Sequence, residues 1–138
     1  MPLNEIVLRV ILAGAAAFIV FTGFDFALGG IRSLGLEGPV LSLTATDAHA
    51  LDARDSHARF LGGVWLTVGL VFLASAFRLQ ALRVALLAAI AMIFVGGVSR
   101  FTTYAPQVLL DPPIAGALIA ELIGMPILFF WVWNARRA

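Results

Sequence analysis

Arg59-Phe60-Leu61-Gly62-Gly63-Val64-Trp65-Leu66-Thr67-Val68-Gly69-Leu70-Val71-Phe72-Leu73-Ala74-Ser75-Ala76-Phe77 carries no charge after its first residue. The four residues Arg78-Leu79-Gln80-Ala81 separate it from a second apolar run, Leu82 to Ser99, interrupted by Arg83 alone. At a rise of about 1.5 Å per residue, each run matches a hydrocarbon core about 30 Å thick. Open strands cannot cross lipid, because their edge amides would have no partner there. Both runs are therefore read as helices, and so short a turn folds them into an antiparallel hairpin.

A further apolar run lies on each side of this hairpin. One covers about 5–28 and the other about 113–134. The fold expected is all-α: an integral membrane four-helix bundle in a single domain, 1–138, with helices at about 5–28, 57–77, 82–100 and 113–134. The apolar part of the first run, Val10 to Phe24, is long for the core of a signal peptide. Glu5 and Arg9 before it do not form a basic cluster, so it is expected to stay as a first transmembrane helix.

Composition agrees. Hydrophobic residues make up 62% and charged residues 12% of the 138, whereas a soluble domain is nearer half apolar and a quarter charged. The net charge of +1 offers no field for nucleic acid, and without cysteine there are no disulfides or thiolate metal sites.

The longest connection, 29–56, joins helices one and two. Its first half is turn-like, with Gly29-Gly30, Gly35 and Gly38-Pro39. Its second half reads as helix from a Thr46 N-cap and Asp47, and is able to run unbroken into helix two. Pro112-Pro113 suits a helix start, where a missing N–H has no partner to lose, and Pro126 is expected to kink helix four. Small residues at Gly116, Ala120 and Gly124, at Ala13 and Ala17, and at Gly62, Gly63 and Gly69 are read chiefly as packing seams between helices of one chain.

Orientation follows from arginine. Arg78 and Arg83 in the short turn lie on the same side as Arg9, Arg136 and Arg137. On the opposite side Arg32, Arg54, Arg59 and Arg100 are diluted by Glu37, Asp47, Asp52, Asp55 and Asp111. The positive-inside rule then gives N-in/C-in, a long periplasmic connection between helices 1 and 2, and an inner belt at Trp131 and Trp133 in a bacterial inner (cytoplasmic) membrane.

Charge inside a membrane is costly and needs a partner or a role. Asp25, Arg59, Arg100 and Glu121 provide one such charge on each helix, all in the outer half. Two readings stand. They surround a polar pocket for a lipid-like or quinone-like ligand, or they neutralise one another, Arg100 with Glu121 and Arg59 with Asp25. His57, close to this group, is the candidate for handling a proton. His49 with Asp52 matches no zinc signature, so no metal is expected, and an Asp55–Arg59 pair on a solvated face is the expectation for that stretch. No phosphate loop, nucleophile elbow or metalloprotease motif is present. Catalytic residues and cofactor are left unassigned.

The segment Asp55-Ser56-His57-Ala58-Arg59-Phe60-Leu61-Gly62-Gly63-Val64-Trp65-Leu66 with Gly69, the ending Gly96-Gly97-Val98-Ser99-Arg100, and Glu121 together resemble the bacterial membrane family catalogued as domain of unknown function 4345. The resemblance implies a four-helix inner-membrane protein broadly similar to DoxX-like proteins, with Arg59, Arg100 and Glu121 as its characteristic polar positions. It implies no activity. The resulting expectation is a non-catalytic accessory subunit, or a binder of a lipid-like or quinone-like ligand at Asp25, His57, Arg59, Arg100 and Glu121. The alternative is a small membrane enzyme, or the membrane subunit of a redox enzyme, using carboxylate and His proton transfer. Expected partners are the bilayer, such a ligand, and a membrane protein or a second copy of the chain.

Overall fold

In a computed structural model, residues 3–33 and 48–135 are described. Gly35, Glu37, Gly38-Pro39, Thr46, Asp47, Arg136 and Arg137, which entered the expectations above, lie outside them. All regular structure among the described residues is helical, and four helices are long and apolar enough to cross a membrane: Leu3–Arg32, His49–Phe77, Leu79–Thr102 and Pro112–Asn134. The first is α1 (Leu3–Gly29) closed by a short 3-10 turn, the second α2 (Ala48–Phe77), and the third α3 (Leu79–Ser99). The fourth span is α4 (Pro112–Ile119), a π-turn (Ala120–Gly124) and α5 (Met125–Asn134).

Two boundaries differ from expectation. Helix two starts at Ala48 rather than near residue 57, so the helical reading of the stretch before it holds. The inter-helix turn shrinks to Arg78, with helix three already running from Leu79.

The α1–α2 pair is the tightest in the molecule, because glycine removes the side chain where the backbones meet. A Cβ at Gly23 would lie 2.5 Å from the Leu66 nitrogen, one at Gly62 would lie 2.5 Å from the Phe26 carbonyl carbon, and one at Gly69 would lie 2.8 Å from the Val20 nitrogen. As the index rises along α2 it falls along α1, so the two run antiparallel. Gly63, between these contacts, faces open space.

The fourth span behaves differently. In the most apolar window of each of the first three spans 33% of residues are buried, against 6% in the fourth. Gly116 and Gly124 have nothing within 4 Å of an added Cβ. The small-residue repeat Gly116, Ala120, Gly124 is therefore not an intramolecular packing seam, contrary to expectation. The physical reason lies in the π-turn, where the Met125 N–H bonds back five residues to the Ala120 carbonyl. A five-residue turn destroys the four-residue register on which such a stripe depends. The turn sits directly before Pro126, which has no N–H to give to an i−4 carbonyl.

The solid core lies in the half of the bundle that holds the α2–α3 turn. Leu8, Leu12 and Ala16 of α1, Phe72 of α2, Leu79, Leu86 and Ile90 of α3, and Leu128 and Val132 of α5 are buried. Their spacing of four or seven within a helix is the helical period. Trp131 packs partly against this core, whereas Trp133 is exposed. Many exposed large apolar side chains, among them Phe21, Val84 and Ile127, face outward, as they would toward lipid.

Arginines close three helix ends. Arg9 donates from Nη1 to the carbonyls of Ala76 (2.8 Å) and Phe77 (3.0 Å), the last two residues of α2, while Glu5 holds its other edge. Arg59 donates to the Leu28 carbonyl near the end of α1, and Arg83 to the Trp133 carbonyl near the end of α5. Final-turn carbonyls lack intrahelical partners and carry the negative end of the helix dipole, so a guanidinium satisfies both needs at once.

Candidate functional site

In the other half of the bundle α1 and α2 remain in close contact, and it is the fourth span that stands away from α1. The first half of the fourth span makes no extensive contact with α1, and a cavity of about 720 Å³ occupies the space among the four spans. Phe18, Thr22 and Phe26 line it from α1, Leu61, Trp65 and Val68 from α2, Met92, Ile93 and Gly96 from α3, and Ile114, Ala117 and Glu121 from the fourth span, with Arg100 just after α3. Its volume and mostly apolar wall are those of a small-molecule site.

The polar part of the wall is built from three local devices. The first is an ion pair: Arg100 Nε donates to Glu121 Oε2 at 2.8 Å and Arg100 Nη2 to Glu121 Oε1 at 2.7 Å. Two parallel bonds of this kind fix direction as well as distance. The Glu121 side chain is only 13% exposed and that of Arg100 38%.

The second device is the glycine pair that lets the carboxylate sit there. A Cβ at Gly97 would lie 2.8 Å from the Glu121 Cβ, whereas one at Gly96 would meet nothing within 4 Å. Gly97 thus admits Glu121 against α3, and Gly96 leaves the cavity hollow. The third joins α1 to α2: Trp65 Nε1 donates to Thr22 Oγ1 at 2.9 Å, and the Thr22 hydroxyl donates to the Phe18 carbonyl at 3.0 Å. An indole N–H in an apolar span needs such an acceptor. Sequence reasoning passed over this pair; the available signal was the polar edge of Trp65 within an otherwise uncharged run.

Of the five residues singled out from sequence, Arg100 and Glu121 come together and line the cavity. Asp25, His57 and Arg59 lie outside its lining. Arg59 belongs to a second cluster, where its Nε donates to Asp55 Oδ2 at 2.6 Å, forming the i,i+4 pair expected of that stretch. Asp55 Oδ1 also accepts the Ile31 N–H at 3.1 Å, tying α2 to the turn that ends α1. That turn needs Gly30, whose φ of 60° is open to glycine at no steric cost. Asp25 is half-buried on α1, and His57 is exposed on α2. Among the described residues no group of three or more His, Cys, Asp or Glu side chains is placed to hold a metal ion.

No curated protein and no solved structure matched the chain. The family described as Domain of unknown function (DUF4345) matches residues 7–132, which takes in all four spans, the cavity and the Arg100–Glu121 pair, and the chain belongs to that family.

Proposed function

We propose that this membrane protein binds a lipid-like or quinone-like molecule in the cavity between its four spans, without catalysing a reaction on it. The observation that carries this reading is the division of the bundle. One half is packed solid, and the other keeps a cavity of about 720 Å³ whose described lining is mostly apolar, with a single charged pair. The cavity opens toward the outside of the bundle, where Phe18, Leu61 and Met92 along it are exposed, so a molecule of the bilayer can reach it. An amphiphile drawn from the bilayer supplies the missing contacts. Arg100 and Glu121 give the head polar groups to meet, and Phe18, Met92 and Ile93 give the tail an apolar bed.

The reading extends to orientation. The protein lies in a bacterial inner membrane with both termini in the cytoplasm, and the cavity is in the periplasmic half. Arg78 and Arg83 at the short turn support this through the positive-inside rule. Service as an accessory subunit, beside a membrane partner or a second copy, is consistent with the small buried fraction of the fourth span.

Crystals grown in a lipid mesophase test the binding. Elongated density between Trp65 and Ala117, ending at the Arg100–Glu121 pair, is the expected result. A cavity closed by α4 moving against α1 would refute the reading.

A further inference from the structure

We infer that the occupant of the cavity is a lipid whose head is uncharged and donates hydrogen bonds through a hydroxyl; this rests on the reading of the cavity as a binding site. Among the described residues that line the cavity, only Arg100 and Glu121 carry charge, and they bond each other at 2.7 and 2.8 Å. Their charges offset one another across the described wall. A carboxylate or phosphate head would have to displace Glu121 from Arg100 or sit beside its negative charge, and an ammonium head would meet the mirror-image problem at Arg100. In a low-dielectric setting either cost is large.

The remaining polar groups point the same way. The Trp65 N–H is used on Thr22, the Thr22 hydroxyl is directed to the Phe18 carbonyl, and Ser99 Oγ is directed to the Val95 carbonyl at 2.9 Å. What Thr22 and Ser99 still offer is oxygen lone pairs, which an uncharged hydroxyl head meets without breaking an existing bond.

Trp65 reports on the cavity it lines. Replacing the other two of the three tryptophans, W131F and W133F, leaves it as the single tryptophan, excited selectively over Tyr104 at the red edge of absorption. Quenching is measured in nanodiscs of phosphatidylcholine, with dibrominated stearyl alcohol in one series and dibrominated stearate in the other. The alcohol is expected to quench Trp65 saturably, at a mole fraction at least about tenfold below that of the carboxylate. Glu121→Gln removes the carboxylate that Arg100 bonds at 2.7 and 2.8 Å and should shift the preference toward the carboxylate probe. The neutral pair R100Q/E121Q should keep the preference for the alcohol.

Equal or better binding of the carboxylate at the unsubstituted site overturns the inference while leaving the cavity a binding site. So does an alcohol-to-carboxylate ratio that Glu121→Gln does not move. Absence of saturable quenching by either probe refutes the cavity reading itself, and the inference with it.

Discussion

Arg100, just past the end of α3, and Glu121, in the π-turn of the fourth span, hold each other through two parallel hydrogen bonds of 2.8 and 2.7 Å. Because the first half of the fourth span packs little on its neighbours, this pair is a principal tie between that half and the bundle. Removing one partner leaves a charge in an apolar setting, so R100Q and E121Q should each be more damaging than R100Q/E121Q. Polar pairs inside membranes couple by about 0.6 kcal/mol on average and at most about 1.7. A double-mutant cycle on unfolding in detergent should give a coupling near the upper figure, given the bidentate geometry and the low exposure of Glu121.

Gly62 and Gly63 are neighbours in sequence with opposite environments. A Cβ at Gly62 would press on the backbone at Phe26 and Ala27, which cannot yield as a side chain does, whereas Gly63 has open space. Gly62→Ala should therefore destabilise by roughly 1–3 kcal/mol, the range for overpacking. Gly63→Ala should be neutral or stabilise by up to about 1 kcal/mol through helix propensity. Thermal unfolding of both variants in the same detergent checks the contrast.

Arg9 bridges Glu5 on its own helix and the last two carbonyls of α2. Arg9→Lys keeps the charge but not the fork that reaches Glu5 and α2 together. It should lose on the order of 1 kcal/mol. The loss should concentrate at the α2–α3 turn, read as faster hydrogen exchange around Phe77 and Arg78 while exchange around Gly30 stays unchanged.

The orientation is checked with single cysteines, since the chain has none of its own. Ser56 and Asn134 are exposed near opposite ends of the bundle. In spheroplasts an impermeant maleimide should label Ser56→Cys at once and Asn134→Cys only after lysis. The reverse pattern would invert the topology and put the cavity in the cytoplasmic half.

The number and place of the spans were legible in sequence, because lipid imposes a minimum length that hydropathy shows directly. So was the Arg100–Glu121 pair, because each charge stood alone in an apolar run and needed an opposite. What stayed hidden depends on which helix lies across from which. The spacing of Gly116, Ala120 and Gly124 looked like a seam, but the π-turn between Ala120 and Gly124 breaks its register, and Gly116 and Gly124 face open space. Arginine read as a topology signal also turned out to close helix ends at Arg9, Arg59 and Arg83, a role that needs a neighbour's carbonyl and therefore the tertiary fold. The Asp25–Arg59 pairing was inferred from proximity in depth alone, and the Arg59 side chain is held instead by Asp55 and the Leu28 carbonyl.

The central claim, that the cavity holds a molecule, is met most directly by native mass spectrometry of protein released gently from its own membranes. Gly96 lines the cavity and Gly116 does not, yet neither has anything within 4 Å of an added Cβ. Gly96→Phe therefore fills the cavity, and Gly116→Phe is a matched substitution on the outer surface. One retained lipid-sized adduct in the wild-type chain and in Gly116→Phe, lost in Gly96→Phe, is the predicted result. An adduct that survives Gly96→Phe, or a wild-type chain that retains none, would contradict it.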